Sequence, residues 1–421
     1  MTSEASQPSA KRLNTGLLAL SICLLAALPS SAQAQSWYRD AFLAPTNATT
    51  FESQQTKGVL KLGPVIVDIS AQALLEYSDN VLLTPVGQEG LMMGVGLTFD
   101  AVWQAAKVQQ IKLTGEVMRR QTLSGPGKDR QYLLLAPGSA LRYTAYIKDI
   151  RLMPFLNLSR QLDPMASPTV NNTDTYEQAS YDAGLQVDWN LHNLTLQLMI
   201  LRGIKTMKSD SLEQTEIDRE LLSARLLRTF SAALDIGADI FVIAQDYKNG
   251  PSDHSATESA SVFSRWSMSK ATQLKGSLGY SSMTYDHFSL AGDSSGRSAF
   301  FGEVEFSHRL RKNISYSMRV SQSVDDGTTS NYYKIWDFSF RPVFVVNEHT
   351  TLRLESGYQH VVESLATGEH AIRRNNSARL EFNLPSNFYL WTGFRDVNKT
   401  STIPTRAYQQ QNFEVNLRKQ F

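Results

Sequence analysis

From residue 65 onward, apolar and polar positions alternate along the chain with a period of two. Val65, Val67, Ile69, Ala71, Ala73, Leu75 and Tyr77 fall on one side of an extended backbone, as do Met93, Val95, Leu97, Phe99, Ala101 and Trp103. The rhythm returns at Leu185, Val187 and Trp189, from Leu234 to Val242, from Ile314 to Val320, at Trp336, Phe338 and Phe340, and from Ala378 to Leu384. Successive side chains of a strand point to opposite faces, so the pattern predicts strands with one apolar and one polar face. The polar face is charged and small: Lys112, Thr114, Glu116 and Arg120 in one segment, Ser315, Ser317, Arg319 and Ser321 in another. Two segments fit less well. Pro137 interrupts Gln131 to Ala145, and Leu221, Leu222, Ala224 and Leu226 give Ile217 to Phe230 a helical aspect as well. Both are read as strands because their neighbours on either side are.

Periodicity alone leaves two architectures open. In a soluble sandwich the apolar face forms the core; in an outer-membrane barrel it meets lipid while the polar face lines a lumen. Link lengths separate them. Short links at 104–107, 190–193, 268–272, 309–313 and 385–387 alternate with long polar links at 123–130, 161–175, 207–218, 248–257, 286–297, 324–331 and 398–406. Such alternation is the meander of a membrane barrel, with short turns on one side and longer loops on the other. The expected fold is therefore all-β: one antiparallel transmembrane β-barrel over residues 65–421, with about 16–18 strands. After residue 35 no apolar run reaches the ~18–20 residues of a transmembrane helix.

The first 34 residues read as a signal peptide. Lys11 and Arg12 precede an apolar stretch from Gly16 to Leu28, and Ala32-Gln33-Ala34 forms an A-x-A cleavage site. The single cysteine, Cys23, lies in that apolar stretch, so the mature chain is expected to carry no thiol, disulfide or cysteine metal site. The 41 basic and 40 acidic residues balance, and they do so after Glu4, Lys11 and Arg12 are removed, which excludes a nucleic-acid footprint. Residues 35–64 are polar and break the strand rhythm; they read as a periplasmic segment or a partial plug.

The chain ends on an amphipathic strand. Phe413, Val415, Leu417 and Phe421 share one face, interrupted by Lys419, while Asn412, Glu414, Asn416, Arg418 and Gln420 share the other. A final alternating strand that stops on phenylalanine resembles the assembly signal of bacterial outer-membrane proteins. That resemblance implies the barrel-insertion machinery as a partner, in a Gram-negative envelope whose lipid and lipopolysaccharide surround the barrel. A shorter motif, Leu75-Glu76-Tyr77-Ser78-Asp79-Asn80-Val81, resembles the opening of the β-barrel porin type 2 family. Members of that family include proteins associated with polysaccharide secretion.

The motifs of catalysis are absent. No H-x-x-x-H or H-E-x-x-H pair occurs among the seven histidines. Gly292-Asp293-Ser294-Ser295-Gly296 is a loop composition without a strand–turn–helix around it. No catalytic, metal or cofactor site is expected, although His254, His287 and His370 near the outer loops leave a rim hydrolase open. The candidate functional surface is the lumen, with Arg319, Arg353, Glu355, Arg379, Glu381, Trp391, Glu414 and Arg418 expected to line it. The leading functional expectation is a porin-like channel or conduit for small polar solutes or saccharide, and the solute partners expected are small polar molecules or polysaccharide. The alternative is a non-conducting barrel that scaffolds a surface or polysaccharide-export assembly.

Overall fold

A computed structural model of the chain describes residues 60–162, 177–208, 215–248, 254–286, 296–326, 332–364 and 368–421. The readings of residues 1–34 as a signal peptide and of most of 35–64 as a periplasmic segment lie outside these residues, as does His287. A short strand, β1 (Leu60–Leu62), folds back through Gly63 (φ 61°) onto the first long strand. The long strands are β2 (Val65–Ser78), β3 (Gly90–Ala106), β4 (Gln109–Ser124), β5 (Gln131–Ile147), β6 (Ile150–Leu162), β7 (Glu177–Leu191), β8 (Leu194–Lys208), β9 (Thr215–Ser231) and β10 (Leu234–Lys248). They continue with β11 (His254–Ser269), β12 (Thr272–Tyr285), β13 (Gly296–Arg311), β14 (Ile314–Asp326), β15 (Tyr332–Val345), β16 (Thr350–Glu363), β17 (His370–Leu384), β18 (Phe388–Ser401) and β19 (Tyr408–Gln420). A 3-10 turn, η1 (Pro404–Arg406), precedes β19.

Each of the eighteen long strands pairs antiparallel with its sequence neighbours, and β19 pairs with β2 to close the cylinder. Closure leaves no exposed sheet edge, which is the condition for strands to cross lipid. The count falls at the upper end of the sequence range, and both doubtful segments are strands. In β5 the chain absorbs Pro137 with register shifts on both sides and Gly138 at φ 91°. In β9 the alternation is real: Leu222 and Leu226 are exposed, whereas Leu221 and Leu227 are buried. The tight turn of the β17–β18 hairpin places both Ser386 (φ 60°) and Asn387 (φ 61°) in the left-handed region, the geometry that matches the strand twist of a two-residue hairpin.

The closing seam is fastened at its loop end by the Asp79-Asn80 motif. The buried Asn80 side chain donates to the carbonyls of Thr84 and Gln409, both at 2.7 Å. Asp79 Oδ1 accepts from the Gln411 amide at 2.7 Å, and the Gln410 side chain donates to the Asn80 carbonyl at 3.0 Å. The motif thus ties the first loop to the last strand, a role beyond forming a turn. At the opposite end, the Phe421 amide donates to the Ile69 carbonyl at 3.0 Å. Lys419, the break in the apolar row, stacks its ammonium 4.4 Å from the Phe388 ring centroid and donates to the Ser386 carbonyl.

Candidate functional site: the inner wall of the barrel

The two faces of the wall are told apart by exposure. Leu97, Ile200, Leu222, Ile240 and Val262 form an outer row in which each side chain is more than half exposed. Aromatic residues bracket this apolar band. On β7, Tyr181 and Trp189 lie eight residues apart. That is about 26 Å along the strand, or roughly 20 Å of height at barrel tilt, comparable to the ~25 Å apolar band of outer-membrane barrels.

The opposite face is concave, because side chains two strands apart meet on it. Gln72 of β2 donates to Glu116 of β4 at 2.6 Å, and Arg120 of β4 reaches Glu76 of β2 at 3.1 Å. Arg219 of β9 bonds Asp182 of β7 at 2.6 Å. Glycine in the intervening strand makes that last contact possible, since Gly203 of β8 is the register partner of both Asp182 and Arg219. A Cβ on Gly203 would overlap Asp182 Oδ1 and lie 3.1 Å from Arg219 Nε. Gly203→Ala is therefore expected to push the pair apart and lower stability by about 1–3 kcal/mol, measured as a reduced urea midpoint of the refolded protein. An unchanged midpoint would show that the bridge contributes nothing. Glycines also let inward aromatic rings lie flat: a Cβ on Gly184 would be 2.6 Å from Phe155 Cζ of the adjacent strand.

Arg319, Arg353, Glu355, Arg379, Glu381, Trp391, Glu414 and Arg418 stand on the face of their strands opposite the apolar row. Arg319 reaches Glu303 at 2.9 Å, Arg353 reaches Glu381 at 2.9 Å, and Glu355 accepts from Arg341 at 2.9 Å. Arg379 stacks 4.2 Å over the Trp391 ring centroid, so the aromatic serves a guanidinium. Arg418 donates to Ser70 Oγ at 3.0 Å across the closing seam. Glu414 stands in direct register with Glu76, which Arg120 engages. Lys112–Asp100 and Lys275–Glu305 continue the paired charge around the wall. Phe413, Val415 and Leu417 are exposed on the outer face, and Phe421 is exposed at the end of β19.

Sequence reasoning missed the most buried part of the wall. On β6–β8, Asp188 is fully buried and accepts from Arg151 Nε at 2.7 Å, Gln186 Nε2 at 2.8 Å and Gln197 Nε2 at 3.1 Å. Beside it, Phe155, Met199, Leu201, Leu221, Phe241 and Ile243 form an inward apolar cluster. The signal was present as Gln186, Asp188 and Gln197 at inward alternate positions, but which inward positions would be covered depends on neighbours distant in sequence.

At the loop end a second buried network joins the β16–β17 and β18–β19 connections. Lys399 reaches Glu369 at 2.8 Å, and Arg406 of η1 reaches Glu363 at 2.8 Å and Glu369 at 3.3 Å. Burial works against the Arg406 charge, but Glu363 and Glu369 outweigh it and raise its pKa. The two described rim candidates, His254 and His370, do not converge. His254 opens β11 on the outer face, 2.5 Å from Asp246, and His370 opens β17, also on the outer face, six strands further round. Among the described residues no group of three metal-ligating side chains forms.

No protein-family model matches the chain, and no curated protein matches it. Solved structures do. The chain is similar to Pseudomonas aeruginosa OccK7 (OpdD), with 10% identity and a TM-score of 0.51, over 84% of this chain and 99% of that one. It is equally similar to Pseudomonas aeruginosa OpdK with vanillate, with 10% identity, a TM-score of 0.51 and the same coverage. Pseudomonas aeruginosa OccK2 (OpdF) in complex with glucuronate aligns at 11% identity and a TM-score of 0.50, over 85% of this chain and 98% of that one. These likenesses reach across nearly the whole of each barrel, and they show that this chain has the closed eighteen-stranded fold of outer-membrane porins.

Proposed function

We propose that this chain is an outer-membrane channel that passes small polar solutes or saccharide through its lumen. The observation that carries the reading is the inner wall. Paired charges circle it, and a barrel of about eighteen strands is wide enough for an aqueous path. Mixed fixed charge along a wet wall selects solutes by charge and polarity, not by apolar fit. Arg353, Arg379 and Arg418 on β16–β19 suit carboxylated solutes, the chemistry of the vanillate and glucuronate named with two of the similar structures. The Tyr77-to-Val81 motif supports a place in the β-barrel porin type 2 family. The terminal strand supports delivery by the barrel-insertion machinery.

Refolded protein in planar bilayers is expected to give discrete conductance steps, with Arg379→Glu/Arg418→Glu shifting ion preference toward cations. Baseline current from folded protein would overturn the channel reading. It would favour the second one, a non-conducting barrel scaffolding a surface or polysaccharide-export assembly, which the buried inward apolar cluster of Phe155, Met199 and Phe241 supports, since apolar packing on this face suits a filled interior better than a wet one.

A further inference from the structure

Where the closing seam meets the first loop, the inner wall holds a cavity of about 190 Å³. Glu76 of β2, Arg120 of β4, Arg395 of β18, and Gln410, Asn412 and Glu414 of β19 supply its polar lining. Met92 of β3 and Leu83 of the first loop add apolar surface. The charges of this lining balance. Arg120 reaches Glu76 at 3.1 Å, and Arg395 stands diagonal to Glu414, which is itself in register with Glu76.

The amides do not balance. Gln410 and Asn412 are buried, at 5% and 1% exposure. Gln410 Nε2 donates to Ser78 Oγ at 3.3 Å and to the Asn80 carbonyl at 3.0 Å. These two bonds settle which end of the amide is nitrogen. They leave Gln410 Oε1 without a hydrogen-bond partner, and Asn412 Oδ1 has none either. Buried polar groups of folded proteins are nearly always partnered. Two orphaned acceptors in the lining of one cavity therefore point to a ligand that donates.

We infer that this cavity binds one neutral sugar ring. With two carboxylates and two guanidiniums around it, the site has no net charge to offer an ion. An anion would meet Glu76 and Glu414, and an ammonium would meet Arg120 and Arg395. A hydroxyl donates to an amide oxygen and accepts from a guanidinium without adding charge. A pyranose carries hydroxyls around its rim and C–H groups on its faces. Its rim suits Gln410, Asn412 and the charged pairs, and a face suits Met92 and Leu83. Small-molecule sites join apolar lining to a few placed polar groups in this way. The volume takes one ring and not two. Arg353 and Arg379, which suit carboxylated solutes, do not line this cavity. The inference rests on the channel reading for the solute's route into the lumen, and it names a class of solute there.

The test uses the full chain folded in detergent, with glucose, galactose and mannose as probes and binding titrated by ligand-observed NMR. At least one of the three is expected to bind saturably. Asn412→Leu removes an orphaned acceptor and is expected to weaken that binding at least tenfold while leaving the urea midpoint unchanged or higher. Met92→Trp fills the cavity from another strand and is expected to abolish binding; heat-dependent gel mobility reports that both variants are folded. Glucuronate and glucosamine, one anionic and one cationic, are expected to bind more weakly than glucose. Saturable binding of none of the three hexoses overturns the site and leaves water as the cavity's occupant. Equal binding by wild type and the two folded variants overturns it too, and tighter binding of glucuronate or glucosamine overturns the neutral class. Bilayer conductance tests the parent reading separately. A barrel that binds hexose but carries no current sinks the channel alone, whereas one that conducts and binds no hexose sinks the inference alone.

Discussion

A chain truncated after Ala407 is expected to yield no folded barrel in detergent or in vesicles. Strand β19 is the element that closes the cylinder, pairing from Phe388–Lys419 to Lys399–Tyr408 on one side and from Ser78–Asn412 to Ser70–Gln420 on the other. Without it, β2 and β18 become open edges. Each backbone group left unsatisfied in hydrocarbon costs several kcal/mol. Two edges of such groups add up to tens of kcal/mol, well above the ~5–15 kcal/mol by which folded proteins are stable. The truncation also removes Gln409, Gln410 and Gln411, the partners of the Asp79-Asn80 clamp. The check is gel mobility before and after heating, since a folded barrel migrates differently until it is boiled; a retained heat-dependent shift would contradict the closure argument. Phe421→Ala separates closure from delivery. The Phe421 ring is exposed, and the residue's hydrogen bond to Ile69 uses only its backbone. The variant is expected to refold normally in detergent yet assemble poorly in cells.

Asp188→Ala is expected to destabilise the barrel by about 3–5 kcal/mol, because it removes the carboxylate that faces the buried Arg151 guanidinium. Arg151 is 7% exposed and Asp188 is fully buried, so water does not replace the missing carboxylate. Gln186 and Gln197 lose the Asp188 oxygen to which they donate at the same time, and the loss of these buried hydrogen bonds adds to the penalty. A paired replacement, Arg151→Met/Asp188→Leu, is expected to recover most of the loss, since replacing both partners of a buried ion pair with apolar groups is often neutral. Urea unfolding of protein in vesicles measures both. A single variant as stable as wild type would show that the pair is solvated and that this side of the wall is open to the lumen.

Much of the fold was legible in the sequence because a half-buried strand has a period that does not depend on its partners. The row from Val65 to Tyr77 and the row from Met93 to Trp103 each named the outer face, and the turn at Ser386 and Asn387 is a local matter of backbone conformation. The Pro137 segment was less legible because its strand survives through register shifts that its neighbours β4 and β6 accommodate. The charged character of the inner wall was equally local: alternation placed Arg319, Arg353, Glu381 and Trp391 on one side of their strands. Their partners were not. Arg379 stacking on Trp391, Arg219 crossing β8 over Gly203, and the burial of Asp188 follow from register and curvature, which set distances between residues remote in sequence. By itself the sequence determined which side of each strand is apolar, since that depends on period alone. Only the tertiary structure decided which charges meet, because that depends on the closure of eighteen strands at one register.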